Sequence, residues 1–191
     1  MAQVRLNLKG ATTLLLDSDN FSRGLIVQML RGFGMDPPSL CDTGAQAKAH
    51  LEHHYVDLCI MEAALPDMDS AQLISWIRRV EKGPMRFIPI IVLSGYTQLH
   101  MVAAARDSGA NSVIKKPVSP QALFDRINWV ARVSRPFIET GGFAGPDRRF
   151  RSAEPRDGRY KRQTDGSAEA PADSNAIAAN AADAPVKVAA Q

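Results

Sequence analysis

The stretch that decides the fold is residues 57–70, Asp-Leu-Cys-Ile-Met-Glu-Ala-Ala-Leu-Pro-Asp-Met-Asp-Ser. It opens with the continuous apolar run Leu58–Met61 and meets a carboxylate, Glu62, where the run ends. A strand that is apolar at every position, not at alternate ones, is covered on both faces, as in a parallel sheet flanked by helices. The loop that follows, with Pro66, Asp67 and Asp69, is turn chemistry. From Ser70 the period changes, and Leu73, Ile77 and Val80 mark one helical stripe.

The same unit recurs on either side. Thr12–Leu16, Ser39–Cys41, Ile88–Leu93 and Ser112–Ile114 read as four further short strands, Ile88–Leu93 being the most strand-like. Between and after them lie helical patterns. Phe21–Phe33 carries Ile26, Met29, Leu30 and Phe33 on one face, Gly44–His54 follows, and Leu99–Ser108 stops at Gly109 as a C-cap. Gln121–Val133 closes the series with Leu123, Phe124, Ile127 and Val130 inward. Five strands alternating with five helices predict an α/β fold with a doubly wound parallel sheet. Ligands of such sheets gather beyond the carboxyl ends of the strands.

The whole chain has 191 residues, 45% hydrophobic and 23% charged, with a formal charge of +3. That composition is ordinary for a globular protein. No apolar run approaches the length of a membrane span, so a membrane-spanning chain is not expected. The N-terminus lacks the apolar core of a secretory signal. Two cysteines, Cys41 and Cys59, make no disulfide framework, and a cytoplasmic location is the expectation. The chain divides into an N-terminal extension (1–10), a folded domain (11–134), a basic Gly/Pro-containing extension (135–164) and an Ala-rich tail (165–191). The tail has too little apolar side chain to offset its ordering entropy and is expected to be disordered.

The polar groups sit at the strand ends. Asp17, Ser18 and Asp19 follow the first strand, Glu62 the third, Ser94 and Gly95 the fourth, and Lys115, Lys116 and Pro117 the fifth. In a parallel sheet these ends share one rim. Acids, a hydroxyl and an ammonium within reach of one another describe a phosphoryl or metal site.

The segments LLLDSDNFSR (14–23), DLCIMEAALPDMDS (57–70), IPIIVLSG (88–95) and GANSVIKKP (109–117) resemble the receiver domain of two-component response regulators, in order and spacing. The resemblance covers residues 11–134 and implies a flavodoxin-like sheet of order 2-1-3-4-5. It also implies an acidic pair after strand one, a phospho-accepting Asp after strand three, a Ser or Thr after strand four, and a Lys before Pro after strand five, with Mg²⁺ on the acids. Asp17 matches the first acid, Ser94 the hydroxyl and Lys116 the lysine, with Pro117 implying a cis peptide. Three positions depart. Ser18 stands for the second acid, Glu62 for the acceptor Asp, and Val113 for an aromatic that follows the hydroxyl inward.

Each departure bears on the chemistry. Mg²⁺ wants near-octahedral oxygen ligands, including carboxylates, and Ser18 offers only a neutral hydroxyl. Glu62 reaches about 1–1.5 Å further than Asp, and a misplacement of that size can cost ~10²-fold in an in-line transfer. Mg²⁺ binding is therefore expected to be weak or absent, no cofactor is required, and ordinary aspartyl phosphorylation is not expected. Glu62 can pair with Lys116 and accept from Ser94, worth about 1.5–3 kcal/mol where partly buried. That would mimic the phosphorylated state; simple neutralisation of Lys116 in an inert pocket is equally physical. Val113 reads as a stiff strand residue, and Tyr96 either shields the rim or is an exposed loop aromatic.

The expectation is a stand-alone atypical receiver, a signalling module and not an enzyme. It would act by protein contact through the fourth helix, fifth strand and fifth helix. A histidine kinase, a phosphotransfer protein or another receiver is the expected partner. Trp129 and Val133 lie off the inward face of the last helix and suggest a partner or homodimer patch, unless Phe137 or Phe143 covers them. Arg148, Arg149, Arg151, Arg156, Arg159, Lys161 and Arg162 allow another class, nucleic-acid binding with the receiver as scaffold; a solvated linker explains them as well. A conventional phosphorylatable receiver is the remaining alternative. His50, His53 and His54 have metal-binding helical spacing, although a solvated helix face is the commoner outcome.

Overall fold

The computed structural model describes residues 8–79, 83–95, 99–133 and 135–147. Tyr96, the basic run 148–162 and the Ala-rich tail 165–191 lie outside the described residues.

Five strands and five helices alternate: β1 Thr13–Leu16, α1 Asn20–Gly32, β2 Ser39–Cys41, α2 Gly44–His53, β3 Leu58–Glu62, α3 Ser70–Arg79, β4 Ile90–Ser94, α4 Leu99–Asp107, β5 Ser112–Lys115 and α5 Pro120–Arg132. A single 3-10 turn, Pro84–Phe87, precedes β4. All pairings are parallel and the order is β2-β1-β3-β4-β5, with Leu14 opposite Cys59 and Cys59 opposite Ile90. This is the doubly wound sheet that the apolar runs demand, since alternate residues feed two separate cores. Leu14, Leu16, Cys59, Met61, Ile90 and Val92 belong to one core with residues of α2, α3 and α4. Leu15, Leu58, Ile60, Ile91, Leu93 and Ile114 belong to the other, with residues of α1 and α5.

Local chemistry sets the helix starts. Asp19 accepts the Ser22 amide at 2.8 Å, Thr43 Oγ1 the Gln46 amide at 3.2 Å, and Ser119 Oγ the Ala122 amide at 3.2 Å, with Pro120 opening α5. After α4, Gly109 has φ +104°, a conformation that disfavours any side chain.

Beyond α5 the chain adds a two-stranded antiparallel sheet, β6 Phe137–Thr140 and β7 Phe143–Pro146, joined by Gly141 and Gly142. Of Phe137 and Phe143, the two alternatives for covering Trp129, Phe137 stacks edge-on against Phe87 at 4.8 Å, and the Arg135 guanidinium lies over the Trp129 ring at 4.3 Å. Val133 is exposed.

Candidate functional site

The site lies where β1, β3, β4 and β5 end on one rim. Asp17 follows β1 and is fully buried. Its Oδ1 accepts the Asp19 amide at 2.9 Å, and its Oδ2 accepts the Ser22 hydroxyl at 2.7 Å and the Lys116 ammonium at 3.1 Å. Glu62 closes β3, and its Oε1 accepts from the same ammonium at 2.8 Å. Lys116 thus bridges two carboxylates, with its side chain 21% exposed and Glu62 24%. Its backbone amide donates to the Ser94 carbonyl at 2.7 Å, and its peptide bond to Pro117 is cis. Burial works against the Lys116 charge, but the hydrogen bonds to Glu62 and Asp17 outweigh it and hold the ammonium above its ordinary pKa.

Other predicted residues fall elsewhere. Asp19 is not a pocket acid: its carboxylate caps α1, and only its amide serves Asp17, because the chain turns into the helix at that residue. Ser18 is exposed. Ser94 is buried, but its hydroxyl donates to the Gly95 carbonyl at 3.4 Å and does not supply the expected bond to Glu62. Val113 packs partly buried against the α2–α4 core, as a strand residue. The rings of His50 and His54 stack at 4.6 Å and 9°, and among the described residues no group of three metal-ligating side chains forms.

The donor set does not fit Mg²⁺. Asp17 and Glu62 are the two carboxylates that would hold the ion, both already accept from the Lys116 ammonium, and the position of a second acid is taken by the neutral Ser18.

Sequence reasoning missed Ser22 and Arg78, and read Asp67 as turn chemistry without its bonds to α2. Ser22 gives Asp17 a second donor, which an isolated helical serine does not announce. Asp67 accepts the first amides of α2, Gly44 at 2.8 Å and Ala45 at 2.9 Å, and these bonds lower its pKa. Met68 lies so close to Gly44 that a Cβ there would stand 2.4 Å from its sulfur. The loop after Glu62 is therefore pinned to α2. Arg78 is buried in α3.

The response regulator receiver domain pattern matches residues 13–128. The chain belongs to that family. It is a receiver domain of two-component signalling. The receiver is 30% identical over 128 residues to the transcriptional regulatory protein GlrR of Escherichia coli strain K12, a match covering 67% of this chain and 28% of that protein. It therefore spans less than a third of that relative. It is 29% identical over 115 residues to the chemotaxis protein CheY of Bacillus subtilis strain 168, covering 60% of this chain and 92% of that one. A response regulator structure from Chloroflexus aurantiacus superposes with a TM-score of 0.58 at 27% identity, covering 64% of this chain and 98% of that one.

Proposed function

We propose that this receiver signals by protein contact without phosphoryl transfer, with Glu62 as a fixed anion in the acceptor position. One observation carries the reading: the Lys116 ammonium lies 2.8 Å from Glu62 and 3.1 Å from Asp17. The lysine charge is already neutralised by the protein's own carboxylates. Asp17 and Glu62 alone would have to hold a divalent ion, with Ser18 in place of a second acid, and Glu62 reaches past the position of an aspartyl oxygen. Because the Ser94 hydroxyl turns to Gly95, Glu62 acts by neutralising Lys116, not by drawing Ser94 inward.

On this reading the protein is a binding module and not an enzyme. It works in the cytoplasm on a histidine kinase, a phosphotransfer protein or another receiver. The contact face is α4, β5 and α5, where Val113, Lys115, Ala122, Asp125 and Trp129 line a groove. Trp129 and Val133 are the residues through which a second copy would associate.

The test is incubation with acetyl phosphate and Mg²⁺ followed by intact-mass measurement. The expected spectrum shows unmodified protein. A phosphoryl adduct mapped to Glu62 overturns the proposal. A salt-sensitive gel shift with RNA or DNA, lost on truncation at Ser134, would move the function to the basic run instead.

A further inference from the structure

An isolated two-stranded hairpin is marginal in water, so β6–β7 depends on what it packs against. Its partners are the C-terminal end of α3, the 3-10 turn and the turn between α4 and β5. Arg79 donates to the Gly142 carbonyl at 2.9 Å, Arg86 pairs with Glu139 at 2.7 Å, and Phe137 meets Phe87 at 4.8 Å. Ala144, Gly145 and Pro146 are buried.

At the closest point backbone meets backbone. A Cβ on Gly145 would stand 2.6 Å from the Gly109 Cα, and one on Gly109 would stand 2.5 Å from the Ala144 carbonyl oxygen. Glycine at both positions is what allows the approach. The same turn is held from below by Arg78. Its guanidinium donates to the carbonyls of Gly109 at 3.1 Å, Arg86 at 2.6 Å and Ile88 at 2.9 Å, and to Asn111 Oδ1 at 2.9 Å. Asn111 Oδ1 also accepts the Ile90 amide at 2.9 Å, and the Asn111 amide donates to the Ile90 carbonyl at 2.9 Å.

β5 is thus tied just beyond both ends. Gly109 and Asn111 precede it, held by the hairpin and Arg78; Lys116 follows it, held by Glu62 and Asp17. We infer that the β6–β7 hairpin is a built-in clamp on the α4–β5 turn: docked, it fixes the conformation of that turn and with it the α4 end of the contact face.

Amide hydrogen exchange on the full-length chain tests it. Gly145→Val drives a side chain into Gly109. Exchange at Ser108, Gly109, Ala110 and Asn111 is expected to rise about tenfold or more, together with that of Phe143 and Asp147, while β1 amides keep their rates. Faster hairpin exchange with an unchanged 108–111 turn overturns the clamp, because the hairpin would then ride on the domain without holding it. Unchanged rates at both places overturn it too. Should Gly145→Val fail to fold, Arg79→Ala with Phe137→Ala removes hairpin contacts while leaving Gly109 untouched, and the same amides decide. The readout involves neither phosphate nor partner, so the clamp can fail while the phosphorylation-independent reading stands, and the reverse.

Discussion

Lys116 donates to Glu62 across 2.8 Å while the same ammonium reaches Asp17 at 3.1 Å. One cation from the end of β5 therefore serves carboxylates from the ends of β1 and β3, and among the described residues no other ion pair joins these strand ends. Its removal leaves Asp17 buried with one donor fewer and Glu62 without its partner.

Lys116→Met is expected to destabilise the domain by about 2 kcal/mol, the scale of a part-buried charge left uncompensated. Urea denaturation should show a lower midpoint with an unchanged slope. Adding Asp17→Asn should cost less in the Lys116→Met background than in the wild type, because the two groups share one interaction.

The pair also sets an alkaline limit. The folded state holds the Lys116 ammonium above the ordinary lysine value of about 10.4. A raised lysine pKa contributes stability that is complete below the unfolded value and is lost as pH climbs through the folded one. The midpoint difference between wild type and Lys116→Met should be flat from about pH 7 to about pH 9 and shrink above about 10.4. A difference that stays constant through that window would show that the charge is not what Lys116 contributes.

How far these features were legible depends on whether one element or several define them. The sheet was legible because each central strand is apolar at every position, and Asp17, Glu62 and Lys116 because parallel strand ends converge. Arg78 was not, since a charged residue on a helix is solvated by default; only the fold brings the Gly109, Arg86 and Ile88 carbonyls around it. The hairpin carried a signal, Gly141-Gly142 after the β-prone Phe137–Thr140. Its second strand, Phe-Ala-Gly-Pro, masked it, and Gly145 is explained only by Gly109 lying against it. Ser94 was placed correctly at its strand end, but a rotamer is not written in spacing.

Arg78→Met should be costly despite keeping the aliphatic bulk. It takes the guanidinium donors from three carbonyls and from Asn111 Oδ1, which keeps only the Ile90 amide, and about 2–4 kcal/mol is expected from urea midpoints. Arg78→Lys should recover only part, because an ammonium cannot fan across four acceptors as the planar fork does.

Asp67→Asn tests the latch between the loop after Glu62 and α2. The carboxylate takes two helix-start amides, and its pKa is lowered by them. A lowered carboxyl pKa contributes stability present above the unfolded value, about 3.9, and lost as pH falls through the folded one. The variant should melt below wild type at about pH 7, with the gap closing in acid below about pH 3.9, and Gly44 and Ala45 should exchange faster.

The site itself makes the sharpest prediction. If the pocket is silent because Ser18 removes an anionic ligand and Glu62 overshoots, restoring both should restore chemistry. Glu62→Asp alone leaves one carboxylate too few for Mg²⁺, and Ser18→Asp alone leaves the acceptor misplaced by about 1 Å. The double variant Ser18→Asp with Glu62→Asp is expected to gain a Mg²⁺-dependent phosphoryl adduct from acetyl phosphate, lost on adding a chelator, while each single variant stays unmodified. Shortening the acceptor side chain by one methylene would also release Lys116 toward the incoming phosphoryl oxygens, whose charge must be neutralised during transfer. A double variant that remains unmodified would place the block at another position, with Val113 next to be replaced by an aromatic.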